Sequence, residues 1–246
     1  MQTIDDVLHK MDEIVADCDR RHSRAAYFAV LYRKVTRRVK EGIARGEFED
    51  NARMEKLDVL FASRYFDAYD QYVRGEQLTR SWQIAFQAAG ESHHIIMQHL
   101  LLGINAHINL DLGIAAVETA GSQPLEPLRG DFDAINRVLA ELVDEVKASL
   151  GKTSPAFGWL MPLAKKQDEK LVNFSIAIAR EGAWRFAQRL YASPERSAAI
   201  AERDLRIAAL ARALAQPGRW LALLLRLIRL GEWRGVAATA KALEDA

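Results

Sequence analysis

The sequence predicts an all-α protein, a single-domain bundle of about eight to ten helices built round one long central helix. Three observations lead there. Apolar residues recur at three-and-four spacing along nearly the whole chain, as in Ile4, Val7, Leu8, Met11, Ile14, Val15 and Cys18. No stretch alternates apolar and polar residues for long enough to make a strand. Helix-capping residues and Gly or Pro breakers divide the chain at roughly one helix length apiece.

The elements follow in order. Thr3-Ile4-Asp5-Asp6 has the form of a capping box at the head of the first helix. A second helix runs from about Ser23 to Ala44 and stops near Gly46. A third starts at Asn51, a good N-cap, and stops near Gly75. Thr79 caps a short fourth helix that carries Trp82 and Phe86 and ends near Gly90. The fifth and longest is expected over about 92–119, on the order of 40 Å at roughly 1.5 Å per residue. Gly103 and Gly113 lie inside it and permit a bend or a close approach.

Pro124 and Pro127 mark Gly121 to Gly130 as a loop. Asp131 then caps a sixth helix with the stripe Ile135, Val138, Leu139, Leu142, Val143, Val146 and Leu150. Thr153 to Lys166, with Pro155, Gly158 and Pro162, is irregular. Three further helices are expected from about Asp168 to Ala192, Pro194 to Ala215 and Arg219 to Leu230, with Pro217-Gly218 breaking the chain before the last.

Composition sets bounds on function. With 246 residues the chain can bury a large core, and a net charge of +1 gives no bulk electrostatic case for nucleic acid or an anionic membrane. A basic face at Arg33, Lys34, Arg37, Arg38 and Lys40 reads as a solvated helix surface. Cys18 is the one cysteine, so no internal disulfide exists, which fits a cytoplasmic location; it lies on an apolar stripe and reads as a buried thiol. Residues 1–19 are too charged for a signal peptide's apolar segment. Trp220 to Leu230 is interrupted by Arg226 and too short for a transmembrane span, and its broad apolar arc suits burial against the bundle better than a membrane surface.

The candidate site is the run His99-Leu-Leu-Leu-Gly103-Ile-Asn-Ala-His107-Ile-Asn-Leu-Asp111-Leu112, which sets two histidines, two asparagines and an aspartate among apolar residues. Polar groups in such surroundings cost free energy unless they are paired or used. On a helix, positions 99, 103, 107 and 111 share a face that reads His, Gly, His, Asp. The spacing of His107 and Asp111 lets them share a divalent metal (iron, zinc or manganese), or lets the carboxylate orient the ring. His99 stands roughly 12 Å further back along the axis. That is far for the same ion but near enough to line the same pocket across the gap at Gly103. Three readings stand open: a metal site, a metal-free polar pocket, and structural polar packing. Asp67, Asp70, Asp131, Asp133, Asp144 and Glu181 are the carboxylates available as further ligands, while His93 and His94 read as unremarkable and Asn105 and Asn109 as structural.

A second polar set, Asn173, Arg180 and Trp184, puts an arginine beside an apolar stripe. That arginine needs an anionic partner, either a protein carboxylate or an acidic ligand. Arg64-Tyr65 with Asp67 is a third candidate of the same kind. Asp67-x-x-Asp70 and Asp131-x-Asp133-x-x-Asn136 match neither metal motif of terpene synthases. No di-iron, zincin, Walker, Rossmann or Gly-x-Ser-x-Gly pattern is present.

The run from His99 to Leu112 resembles the signature of a bacterial domain family of unknown function. The resemblance extends through Gly46-Glu47-Phe48-Glu49-Asp50, Phe61-Ala62-Ser63-Arg64-Tyr65, Asp131-Phe132 with Ile135-Asn136, and Ala179-Arg180 with Ala183-Trp184. It implies a mostly helical, cytosolic bacterial protein and carries no activity or cofactor with it. His-x-x-x-Asp is also similar to a ligand pair of the all-α zinc-dependent phospholipases C. Those sites need more histidines, and here His9 and His22 fall outside any such pattern.

The resulting expectation is an enzyme centred on His99, His107 and Asp111 that acts on a small, largely apolar substrate. His107 and Asp111 serve as metal ligands or as base and orienter, His99 as a further ligand or acid/base, and Arg180 as the anchor of an acidic group. The rival is a non-catalytic helical module that binds a ligand or partner, its buried His, Asn and Asp being structural.

Overall fold

A computed structural model describes residues 1–135, 139, 176–232 and 235–245, and among these residues every regular element is a helix. α1 (Ile4–Arg20) opens on the expected box: the Thr3 hydroxyl accepts from the Asp6 N–H, and the Asp6 carboxylate accepts from the Thr3 N–H. Ile4, Val7, Met11, Ile14 and Cys18 are its buried stripe. α2 (Ala25–Ala44) packs along α1. Acidic side chains pair with its basic face. Arg33 is buried between Asp12 and Glu244, Arg38 faces Glu41 and Glu47, and Lys40 meets Asp5.

α3 (Asn51–Arg74) is capped by Asp50 rather than Asn51, the Asp50 carboxylate accepting from Arg53 N–H at 2.9 Å. It ends at Gly75, whose φ of 70° needs a residue without a Cβ. α4 (Arg80–Gly90) follows Thr79, but the Thr79 side chain makes no cap. The Asp204 carboxylate takes that role from a distant helix, accepting from the N–H groups of Arg80 and Ser81 at 2.8 and 3.0 Å.

The central helix spans Ile96–Ala120 and starts four residues later than its pattern suggested. Its first N–H groups are met by side chains, Ile95 N–H by Gln98 and Ile96 N–H by Glu232. It has three parts: α5 (Ile96–Ala106), a π turn (His107–Asp111) and α6 (Leu112–Ala120). In the π turn the Leu112 N–H reaches back five residues to the His107 carbonyl. This helix is long and apolar enough to cross a membrane by composition, but 94% of its apolar window is buried inside the protein. α5 packs on α2, α4 and a later helix, α8 (Arg196–Ala215), while α6 packs on α3 and on α7 (Ile176–Ala192).

Both glycines of the central helix are points of close approach. A Cβ on Gly103 would lie 2.5 Å from Phe28 Cγ, and one on Gly113 would lie 2.6 Å from Phe186 Cδ1. Beyond α6 the loop contains a 3₁₀ turn (Glu126–Leu128), and helical backbone resumes over 129–135. Asp131 therefore sits inside that helix rather than capping it. Its carboxylate instead accepts from the Glu49 and Asp50 N–H groups and pairs with Arg53, fastening the entry to α3. Val138, Leu142, Val143, Val146 and Leu150, the irregular stretch over 153–166 and the helix start near Asp168 lie outside the described residues.

α9 (Arg219–Leu230) buries Leu221, Leu225 and Ile228 but leaves Trp220, Leu223, Leu227 and Leu230 exposed, so the bundle covers one side of its apolar arc. α10 (Val236–Glu244), which the sequence pattern did not suggest, closes over α2. One continuous apolar cluster runs from Ile4 to Leu243, and a second lies between α4, α5, α8 and α9.

Candidate functional site

The π turn places His107 and Asp111 where α2, α3 and α4 converge. Asp111, 1% exposed, is an acceptor with three donors round it. Its Oδ2 accepts from Trp82 Nε1 at 2.8 Å and pairs with His107 Nδ1 at 3.1 Å. Its Oδ1 lies 3.8 Å from Arg64 Nε. A carboxylate cannot donate, so this network assigns the imidazole proton to Nδ1 and leaves a lone pair on Nε2. Burial pushes the His107 pKa below the ordinary histidine value, and the Asp111 bond and charge offset part of that, so the ring is neutral.

Aromatic residues wall the imidazole. It stacks on Phe61, with centroids 3.6 Å apart and planes 7° apart, and meets the edge of Tyr32 at 4.5 Å. Phe28, Tyr65 and Trp82 stand within 6.0 Å. Tyr32 and Phe28 are four apart on α2, and Phe61 and Tyr65 four apart on α3, so each helix presents one face to the ring.

Besides Arg64 Nε, three polar atoms in this cluster have no hydrogen-bond partner in the structure: His107 Nε2, Tyr32 Oη and Tyr65 Oη. Burial raises both tyrosine pKa values well above normal, aided at Tyr32 by the charges of Asp58 and Asp111, so both hydroxyls remain neutral donors. Asp58 is itself buried, and its carboxyl is pushed up to about 7 by burial and by Glu55. Arg64, 30% exposed, connects Asp111 with solvent and with Glu118, whose pKa burial raises.

The structure thus brings His107 and Asp111 together and adds Trp82, Tyr32, Phe61, Arg64 and Tyr65. Arg64-Tyr65 was a sequence candidate, whereas Asp67 is exposed. A legible sign of the Asp58 neighbourhood existed, one acid within the apolar run Leu57-Asp58-Val59-Leu60-Phe61. The partnership of Trp82 with Asp111 had no local sign, because it joins different helices.

His99 belongs elsewhere. The gap at Gly103 does not open a pocket between the two rings, because Phe28 fills it. His99 rests instead against Tyr27 and His94, at 5.7 Å from each. Neither of its nitrogens has a well-formed hydrogen bond, and burial lowers its pKa to about 3. A cleft of about 20 Å³ lined by Phe28, Tyr65, Trp82, His99 and Gly103 has room for one water.

Arg180 makes no hydrogen bond, ion pair or ring contact with His99, His107 or Asp111 among the described residues. Its guanidinium donates to the Phe132 carbonyl and lies 4.4 Å over the Phe132 ring. Burial lowers its pKa to about 10. Asn105 and Asn109 are structural, as their positions suggested. Asn109 donates to Asn105, and Asn105 donates to the Ile207 carbonyl of α8.

The carboxylates considered as extra metal ligands are engaged elsewhere: Asp70 with Lys10, Asp131 with the 49–53 turn, Asp133 with Arg129, and Glu181 with Arg129 and Arg185. Asn136, Asp144 and Asn173 lie outside the described residues. Among the described residues, no group of three metal-ligating side chains includes His107 or Asp111.

No curated protein and no solved structure matches this chain. The profile of one family matches residues 4–217, from the head of α1 to just past α8, and so includes every residue of the His107 cluster. The chain therefore belongs to the family of unknown function DUF5995.

Proposed function

We propose that this protein is an enzyme in which His107 acts as a general base on a small, largely apolar substrate, with Asp111 holding the ring in its Nδ1–H form. The observation that carries this reading is the set of unpartnered buried atoms, His107 Nε2, Tyr32 Oη and Tyr65 Oη, on three rings that pack against one another. Folded proteins pair buried polar groups, so three in one cluster support the reading that a bound molecule meets them. Nε2 offers a lone pair for proton abstraction, and the two hydroxyls offer donors for a polar atom of the substrate. Phe28, Phe61 and Trp82 supply the apolar wall. Arg64, partly exposed and 3.8 Å from Asp111, can receive a negative group. Among the described residues no third ligand stands beside His107 and Asp111, which favours base and orienter over metal ligands.

A second reading has its own support. The described opening next to this cluster takes one water, which suits a helical module whose buried His and Asp are structural. Turnover of a panel of small apolar esters, lactones and ketones by the wild type, His107→Gln and Tyr32→Phe separates the two. Catalysis predicts turnover that disappears in a folded His107→Gln and that falls in acid as the base is protonated. No turnover with any member of the panel, together with a stability loss above about 3 kcal/mol in His107→Gln, supports the structural reading.

A further inference from the structure

The loop between α4 and α5 carries Glu91, His93 and His94, none of which takes part in the His107 cluster. The His94 side chain is 2% exposed. Its Nε2 lies 3.2 Å from the Ala215 carbonyl at the end of α8, and a carbonyl only accepts, so Nε2 carries the proton. That leaves a lone pair on Nδ1, which is buried and has no hydrogen-bond partner. This atom faces Glu91 Oε2 at 3.4 Å. Two electron-rich atoms held so close repel unless a proton or a cation lies between them.

We propose that Glu91 Oε2, His93 Nε2 and His94 Nδ1 bind a divalent cation of the zinc type. His93 Nε2 lies 3.5 Å from the same Glu91 oxygen, and the ligand atoms of all three residues lie within 4.8 Å of one another. A tetrahedral zinc ion with ligands at about 2.0–2.1 Å sets neighbouring ligands roughly 3.3 Å apart. The two edges that share Glu91 already have nearly that length. The third closes by rotation of His93, whose side chain is 66% exposed. The Ala215 carbonyl supplies the outer contact that ligating histidines need, fixing the tautomer and the ring plane of His94. Two neutral imidazoles and a carboxylate suit zinc better than magnesium or calcium, which prefer oxygen. Glu91 and His93 face solvent, so the fourth position is open to water. On the inner side of His94, the positive charges of Arg24 and Arg229 are offset by Glu232, which lines the same small cleft. A bound ion ties the α4–α5 loop to the end of α8 and braces the start of the central helix.

The test is calorimetric titration of Zn²⁺ into the full, untagged chain after chelator treatment, beside His93→Ala and Glu91→Ala. Both substitutions are at exposed positions, so loss of fold does not confuse the result, and circular dichroism checks it. The expected result is one ion per chain, with affinity weakened roughly tenfold or more in each variant. Co²⁺ in place of Zn²⁺ should give the visible absorption of a four-coordinate site in the wild type and lose it in His94→Gln. No saturable binding by the wild type, or binding unchanged in either alanine variant, overturns the proposal. The outcome is independent of whether His107 is a base.

Discussion

The ring of Phe28 occupies the place where Gly103 has no side chain, and in doing so it separates His99 from His107. A Cβ at position 103 would lie 2.5 Å from Phe28 Cγ and 3.0 Å from Phe28 Cβ, the second being an atom that cannot swing away. Gly103→Ala gains helix propensity but must push α2 from the central helix. Overpacking of this kind costs about 1–3 kcal/mol. Urea unfolding should show a lower midpoint at unchanged slope. In Phe28→Ala the same substitution should cost much less, and equal costs in the two backgrounds would refute the steric account.

Asp131 is fully buried and serves two backbone N–H groups and Arg53. Asp131→Ala strands all three donors and should cost about 3–5 kcal/mol. Asp131→Asn keeps one acceptor oxygen and should cost less. Equilibrium denaturation of the two variants measures the difference, and equal losses would mean that the carboxylate's acceptors are not what matters.

Asp204 caps α4 from α8, accepting also from the Ser81 hydroxyl at 2.7 Å. Asp204→Ala should cost about 1–2 kcal/mol, the range of a lost cap. Amide hydrogen exchange should speed up at Arg80 and Ser81 before it does at the far end of α4. Because α4 also carries Trp82, the variant should loosen the Trp82–Asp111 bond, read as a change in Trp82 indole exchange.

The raised pKa of Asp58 gives a pH dependence with a definite sign. Its carboxyl titrates at 3.8 when unfolded and at about 7 in the fold. Between those values the native state holds a proton that the unfolded chain releases. The associated stability is therefore complete below the lower value and lost as pH rises through the upper one. Asp58→Asn removes this dependence. Its stability relative to wild type should rise by up to about 4 kcal/mol between about pH 4 and pH 8. A difference that stays flat with pH would show that Asp58 ionises normally.

Local patterns were legible in the sequence and long-range partnerships were not. The Thr3 capping box, the stop at Gly75, the buried thiol of Cys18 and the His107–Asp111 pair all rest on residues within four positions of each other, and all are present. Asp131 read as a capping acid because its partners stand 78 residues or more away, and the capping of α4 by Asp204 had no local sign because it reaches across 123 residues or more. The start of the central helix shifted for a similar reason: Glu232 and Gln98 satisfy its first N–H groups, and Ser92 supplies no cap. Gly103 was readable as a close approach, but nothing near it in sequence says that Phe28 is what approaches. Arg33 looked solvated because its acids, Asp12 and Glu244, come from either end of the chain.

The π turn bears on chain length as well as on chemistry. One residue more than an α-helix requires is taken up between His107 and Asp111, and each residue of an α-helix advances the phase by about 100°. The turn therefore works as a phase shifter. Upstream of it the apolar face is in step with α2, α4 and α8, and downstream it is in step with α3 and α7. Deleting one residue here would leave an unbroken helix of acceptable composition whose second half points Gly113 away from Phe186. In this segment the count of residues is as much a part of the fold's specification as their identity.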